Sequence, residues 1–119
     1  MNIFKHRKTG IAFGGGAARG FAHIGVVKVL QEAQLKFDYV VGNSAGSIVG
    51  ALYADGMHWE EMYELAKSIS PIDIIGLNIK SPGLFNSEKV EKLIQRMLGD
   101  KTFDDLKTPY RCVAVDIKT

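Results

Sequence analysis

Two short stretches of the sequence combine residue types that could carry out acyl-transfer chemistry. Residues 42–46 read Gly-Asn-Ser-Ala-Gly, which is the G-x-S-x-G spacing typical of a nucleophilic serine. Residues 14–16 are three consecutive glycines, and such a bare backbone lets amide groups approach a developing negative charge. A serine nucleophile and backbone oxyanion donors together predict the hydrolysis of an ester.

The hydrophobic pattern places each stretch at the end of a strand and the start of a helix. Short apolar runs at residues 9–13 and 37–41 predict buried strands that lead into the two glycine clusters. Apolar positions recur at helical spacing over residues 18–34, and the small residues 45–54 predict a second helix. Because parallel strands end at the same edge of a sheet, the two loops should face each other there.

The rest of the chain continues this alternation. Residues 62–69 have apolar positions at helical spacing, and residues 71–86, with two prolines and two glycines, predict a loop. Residues 87–98 predict another helix, which Gly99 would end, and residues 110–117 predict a third strand. The order predicts an α/β fold with a mainly parallel sheet. Three strands are few for such a sheet, so we expect the chain to be truncated at its C-terminus.

Composition and charge restrict the possible partners and compartments. The 119 residues carry 15 Lys and Arg against 13 Asp and Glu, a formal net charge of +2, which predicts no nucleic-acid partner. We expect residues 1–8 to form a flexible tail whose basic run, residues 5–8, is solvated. The alternative is that this run makes a peripheral contact with an anionic membrane surface. The apolar run around Cys112 predicts that this residue lies in the core. Because it cannot form an internal disulfide, we also expect a reducing compartment. Lacking a signal peptide or a spanning segment of about 20 apolar residues, the protein is expected to be cytoplasmic.

Other functional interpretations of these two stretches have less support from the sequence. A dinucleotide fingerprint needs glycine where Arg19 stands and an acid at the end of the second strand, whereas Asp38 begins that strand. A phosphate-binding P-loop needs Gly-Lys-Ser/Thr, which the sequence lacks. The alternative for Ser44 is a glycine-rich turn whose serine only caps the following helix. Ester hydrolysis by a serine implies neither a metal nor a cofactor.

The residues around both loops also resemble a known family. Residues 14–20 (GGGAARG), 23–26 (HIGV) and 42–46 (GNSAG) are similar to the patatin-like phospholipases, in particular their small bacterial branch. Residues 102–116 also resemble that branch, so the likeness covers nearly the whole chain from Thr9. It implies a three-layer α/β/α fold and a serine–aspartate dyad that hydrolyses lipid acyl esters as a phospholipase, lysophospholipase or esterase.

The resemblance implies a role for each residue of the two loops. Ser44 would be the nucleophile. The turn around it, the nucleophile elbow, would consist of Gly42, Asn43, Ala45 and Gly46. Backbone amides of the loop Gly14, Gly15 and Gly16 would form the oxyanion hole, and Arg19 would orient that loop.

The dyad aspartate is the part of the family pattern that we do not find. The family carries this aspartate downstream of the serine, in a D-G-G or D-G-A motif. In this chain Asp55-Gly56 is not followed by the third residue of that motif, and it predicts instead the end of a helix. Asp116 matches a different family segment. We therefore expect the base to lie beyond Thr119, residues 9–119 to be the N-terminal part of the domain, and the isolated chain to be inactive.

Two other functions stay open. An α/β-hydrolase esterase with a Ser-His-Asp triad would place its histidine late in the chain, a position that His6, His23 and His58 do not fit. A non-catalytic module of the same fold, which binds lipid or a protein, is favoured by the missing base. The three functions differ in whether Ser44 reacts and in which residue activates it.

Overall fold

The central element of the fold is a parallel three-stranded sheet. A computed structural model of the chain describes residues 7–70 and 87–116. Its strands, in their spatial order, are β1 (Gly10–Phe13), β2 (Tyr39–Asn43) and β3 (Tyr110–Val113). Both neighbouring pairs are parallel, which confirms the predicted α/β class with a mainly parallel sheet.

Helices cover one face of this sheet. They are α1 (Ala22–Glu32), α2 (Ala45–Ala54), α3 (Trp59–Ser68) and α4 (Ser87–Leu98), with short 3₁₀ segments at Ala17–Phe21 and Phe103–Asp105. The strand order advances in one direction, so right-handed crossovers place the connecting helices on the same face. Accordingly α2 packs across all three strands, and α1 packs against α2 and α3.

The core lies between the sheet and this helical layer. Its buried residues are Phe13, Ile24, Val27, Val40, Val49, Leu52, Ala54, Met62 and Tyr110. Side chains alternate along a strand, so Val41 and Val113 point to the other face, where both are exposed. In a three-layer α/β/α fold this is the face that a second helical layer covers.

The second and third strands differ most from their predicted bounds, because pairing and not composition decides where a strand ends. The second strand was predicted at residues 37–41, but the pairing of Asn43 with Val113 extends β2 through the glycine. The third strand ends at Val113, since β2 offers no partner beyond Asn43. Ile117, its predicted end, lies outside the described residues.

Two predicted helix stops are confirmed by the backbone angles. Gly56 follows α2 with a φ of 84°, and Gly99 follows α4 with a φ of 62°. Glycine adopts this left-handed region without the steric cost that a Cβ brings. The helix predicted at residues 18–34 instead consists of the first 3₁₀ segment followed by α1. The predicted loop 71–86 lies outside the described residues, as do residues 1–6 of the predicted tail.

The prediction that Cys112 is a core residue is wrong, because its side chain is exposed. Cys112 shares the inward face of β3 with Tyr110 and lies opposite Gly42 on β2. The helix α2 lies directly over Gly42, whereas β3 is an outer strand of the described sheet, and it is there that Cys112 is left exposed.

Candidate active site

Ser44 forms the whole connection between β2 and α2. Its backbone has a φ of 53° and a ψ of −127°, a region that costs a residue with a Cβ about 1–3 kcal/mol. The side chain is exposed, and its hydroxyl makes no capping hydrogen bond to α2. Helix capping therefore does not explain why a serine occupies this strained position.

The glycines on either side of Ser44 are required by close backbone contacts. A Cβ added to Gly42 would lie 2.4 Å from the Cα of Ser47. A Cβ on Gly46 would lie 2.2 Å from the carbonyl oxygen of Phe13. Residues 42–46, named here the serine turn, thus bring the first turn of α2 directly against the ends of β1 and β2.

The glycine loop (residues 14–16) contacts the serine turn, as the shared sheet edge predicts. A Cβ on Gly15 would lie 3.3 Å from the Cβ of Ser44 and 3.5 Å from the Nδ2 of Asn43. Gly16 has a φ of 155°, which side-chain-bearing residues rarely adopt, whereas a Cβ on Gly14 would meet open space. Gly15 is therefore the member of the loop that lies closest against Ser44.

Arg19 contacts the glycine loop through its backbone. Its N–H donates a hydrogen bond of 3.0 Å to the carbonyl oxygen of Gly16. Its side chain is exposed, and within residues 7–70 and 87–116 the guanidinium has no hydrogen-bond or ion-pair partner. The predicted orienting role of the Arg19 side chain stays a prediction.

A hydrogen-bond chain that sequence reasoning missed connects β3 to the serine turn. The hydroxyl of Tyr110 donates to the carbonyl oxygen of Ser47 at 2.7 Å, and the Ser47 hydroxyl donates in turn to the carbonyl oxygen of Ser44. Burial is the main cause that raises the pKa of Tyr110, so this phenol stays a donor at neutral pH. The sequence signal for this contact was an inward-facing tyrosine on a predicted strand. Only the order of strands in the sheet shows that its hydroxyl reaches the serine turn.

The described histidines do not contact Ser44. The Nε2 of His23 lies 2.8 Å from the carbonyl oxygen of Gly14. His58 precedes α3, and its Nδ1 lies 3.6 Å from a carboxylate oxygen of Glu60. His6 lies outside the described residues. A Ser-His pair thus finds no support in the described part of the chain.

The two candidate aspartates lie at different ends of the sheet. Asp55 follows the 10-residue helix α2, which is about 15 Å long, so it lies at the opposite end from Ser44. Its carboxylate is paired with Lys101 at 2.8 Å. Asp116 follows β3 by three residues, at the edge where the serine turn also lies. The role of Asp55 as a helix stop is confirmed by this placement.

An apolar cavity opens beside Ser44. Its volume is about 870 Å³, and it lies between α2, α3 and α4 above the inward face of β3. Besides Ser44 and Ser47, its walls include Ile48, Leu52, Leu65, Leu93 and Ile94. A pocket of this size and polarity suits a ligand with a long hydrocarbon part.

Two features, a metal-binding cluster and a membrane-spanning helix, are absent from the described residues. Those residues contain no cluster of three or more histidine, cysteine, aspartate or glutamate side chains that could bind a metal ion. In the same ranges, no helix has the length and apolar character needed to cross a bilayer.

Comparisons with known proteins place the chain in a family. The family model of the patatin-like phospholipases matches residues 11–119. Patatin-like phospholipase domain-containing protein 6 of Homo sapiens is 37% identical over 113 residues, covering 90% of this chain and 8% of that protein. An uncharacterized NTE family protein of Mycobacterium bovis is 33% identical over 113 residues, covering 92% of this chain and 31% of that protein.

Neuropathy target esterase of Drosophila grimshawi is 33% identical over 114 residues, covering 91% of this chain and 8% of that protein. The chain belongs to the patatin-like phospholipase family, and its sheet and helices have the α/β fold of that family. It spans less than a third of the length of these relatives.

Proposed function

We propose that the protein carrying this chain is a serine acyl hydrolase that cleaves carboxylic esters of lipids, with Ser44 as the nucleophile. The observation that carries the proposal is the backbone of Ser44, with a φ of 53° and no capping bond from its hydroxyl. Strain at a non-glycine residue persists where function requires that side chain. A nucleophile on a sharp strand-to-helix turn is the arrangement that exposes a serine hydroxyl to a substrate carbonyl.

The glycine loop supplies the second requirement of acyl transfer. Attack by the Ser44 hydroxyl on an ester forms a tetrahedral oxyanion, which backbone N–H groups stabilise most effectively when they are already in place. Gly15 lies against the Cβ of Ser44. The first backbone amides of α2 follow Ser44 directly in the chain. We assign the oxyanion donors to this loop and to the start of α2.

The base that removes the Ser44 proton completes the proposed mechanism. A serine hydroxyl is a weak nucleophile until a neighbouring base accepts its proton. Within the described residues, no imidazole or carboxylate forms a hydrogen bond with Ser44, and Asp55 lies at the far end of α2. We propose that the base is an aspartate beyond Thr119, as the family resemblance implies.

The apolar cavity suits the acyl chain of the substrate. It begins at Ser44 and continues along α2 to Leu52, with the apolar faces of α3 and α4 as its other walls. Each methylene group transferred from water into such a site contributes about 0.8 kcal/mol. The proposed enzyme should therefore favour medium or long acyl chains over acetate esters.

The direct test of the function is covalent labelling of Ser44. We expect a fluorophosphonate probe to modify the complete protein that carries this chain at one site, identified as Ser44 by peptide mass spectrometry. The Ser44→Ala variant should not be labelled, whereas Ser47→Ala, which changes the neighbouring hydroxyl, should keep its labelling site. Absence of labelling in a folded protein would favour the non-catalytic module, and labelling elsewhere would overturn the assignment of Ser44.

Alanine at Gly15 should lower turnover by about 10²- to 10³-fold, the loss expected for one oxyanion donor. The added methyl group would lie 3.3 Å from the Cβ of Ser44, a tight contact that requires the loop or the serine turn to shift by a few tenths of an ångström. The loss should appear in kcat rather than KM, as measured with an aryl ester series. Gly25→Ala on α1, where a Cβ meets nothing within 4 Å, is the matched control and should retain wild-type turnover.

A further inference from the structure

The glycine loop contacts the serine turn through Gly15 and the N–H of Arg19 through Gly16, whereas the Cβ side of Gly14 faces open space. Three consecutive glycines have more backbone freedom than any other tripeptide, and all three are exposed. A Cβ on Gly14 would meet nothing within 4 Å, so its neighbours leave it free to turn on that side. An oxyanion donor must nevertheless keep one orientation, because catalysis gains little from a group that reorients during the reaction.

Among the side chains that the structure describes, one forms a hydrogen bond to this loop. The Nε2 of His23 lies 2.8 Å from the carbonyl oxygen of Gly14. A carbonyl oxygen only accepts a hydrogen bond, so the histidine is the donor, through its Nε2–H. Both the neutral tautomer protonated at Nε2 and the imidazolium carry this proton. The imidazole ring is half-buried and meets the ring of Phe13 edge-on, with centroids 5.3 Å apart and planes at 80°. The donor is therefore held in place by the end of β1 and the start of α1.

The geometry of a peptide bond transmits this contact to the next residue. In a trans peptide the C=O of one residue and the N–H of the next lie in one plane and point in opposite directions. Fixing the carbonyl of Gly14 therefore fixes the N–H of Gly15. That residue is the one that lies against Ser44.

We propose that His23 is a positioning residue that locks the Gly14–Gly15 peptide and so holds the Gly15 N–H in the oxyanion hole of Ser44. This inference rests on the proposed function, to which it adds a residue that touches neither the substrate nor the nucleophile. A dyad enzyme does not need His23 to move a proton. Its loss should therefore cost far less than the loss of Ser44.

The test uses two substitutions of matched shape in the complete protein. His23→Phe keeps an aromatic ring against Phe13 and removes the donor. His23→Gln keeps an amide N–H at about the reach of Nε2. We expect His23→Phe to lower kcat about 10- to 100-fold with KM changed less than about twofold, and His23→Gln to recover most of that loss. Equal melting temperatures of the three proteins would exclude a general loss of structure.

A second measurement does not depend on activity. Backbone ¹⁵N relaxation of Gly15 and Gly16 should give order parameters of about 0.85 in the wild type and below about 0.6 in His23→Phe. In His23→Gln the order parameters should return to the wild-type value. Unchanged order parameters in His23→Phe would overturn the inference, whatever the kinetics show. An unchanged kcat with a disordered loop would overturn its catalytic part.

The same design separates this inference from the proposed function. If wild-type hydrolysis does not depend on Ser44, the proposed function fails, and the order parameters still decide whether His23 locks the peptide. If His23→Phe abolishes activity as completely as Ser44→Ala, then His23 takes part in proton transfer. That outcome would also reject the positioning role.

Discussion

We expect Ser44→Ala to lower ester turnover by about 10⁶-fold in the complete protein while leaving its fold intact. The substitution removes the oxygen that forms the acyl-enzyme, and loss of a catalytic serine in a well-studied protease has an effect of this order. Stability should change by no more than about 1 kcal/mol, since the hydroxyl makes no capping bond to α2. Initial rates on a medium-chain aryl ester and thermal unfolding measure both quantities.

Ser44→Gly is the matched variant for this prediction. It also removes the nucleophile, but glycine adopts the φ of 53° and ψ of −127° without the steric cost that alanine or serine has there. We expect Ser44→Gly to be as inactive as Ser44→Ala and more stable than it. A folded Ser44→Ala protein with wild-type turnover would remove Ser44 from the mechanism. A less stable Ser44→Gly protein would show that the turn is not strained.

Alanine at Gly46 should have a large structural effect, because this position has the shortest backbone contacts for an added Cβ among the described glycines. The added Cβ would lie 2.2 Å from the carbonyl oxygen of Phe13 and 2.4 Å from that of Gly14. Both atoms belong to the backbone, so no side-chain rotation relieves the overlap, and α2 must separate from the end of β1. We expect a loss of about 3 kcal/mol or more, at the upper end of overpacking substitutions.

The consequence for activity follows from the same displacement. Moving Gly14 relative to α2 moves the glycine loop relative to Ser44, so the folded fraction of Gly46→Ala should also lose turnover. Gly25→Ala serves as the control, because it adds the same methyl group to an open helical site and should raise stability by about 0.5–1 kcal/mol. Denaturant unfolding of both variants gives the comparison. Equal stability of the two would contradict the close approach of α2 and β1.

The sequence by itself determined the fold class and the positions of the two loops. Strands, helices and their order follow from local hydrophobic patterns, and α2 occupies the predicted residues 45–54. The helix stops at Gly56 and Gly99 were predictable because a positive φ is a local requirement of the chain. The facing of the glycine loop and the serine turn also followed, since parallel strands end at one edge of a sheet.

Tertiary structure decided what depends on partners distant in sequence. The end of β3 at Val113 is set by the end of β2, and Cys112 is exposed on an outer strand of the described sheet. The hydrogen bonds from Tyr110 to Ser47 and between His23 and Gly14 join elements whose separation no local pattern encodes. Sequence periodicity reports which face of an element is buried, whereas side-chain contacts depend on how elements pack, and the contacts that hold the two loops were therefore visible only in the folded chain.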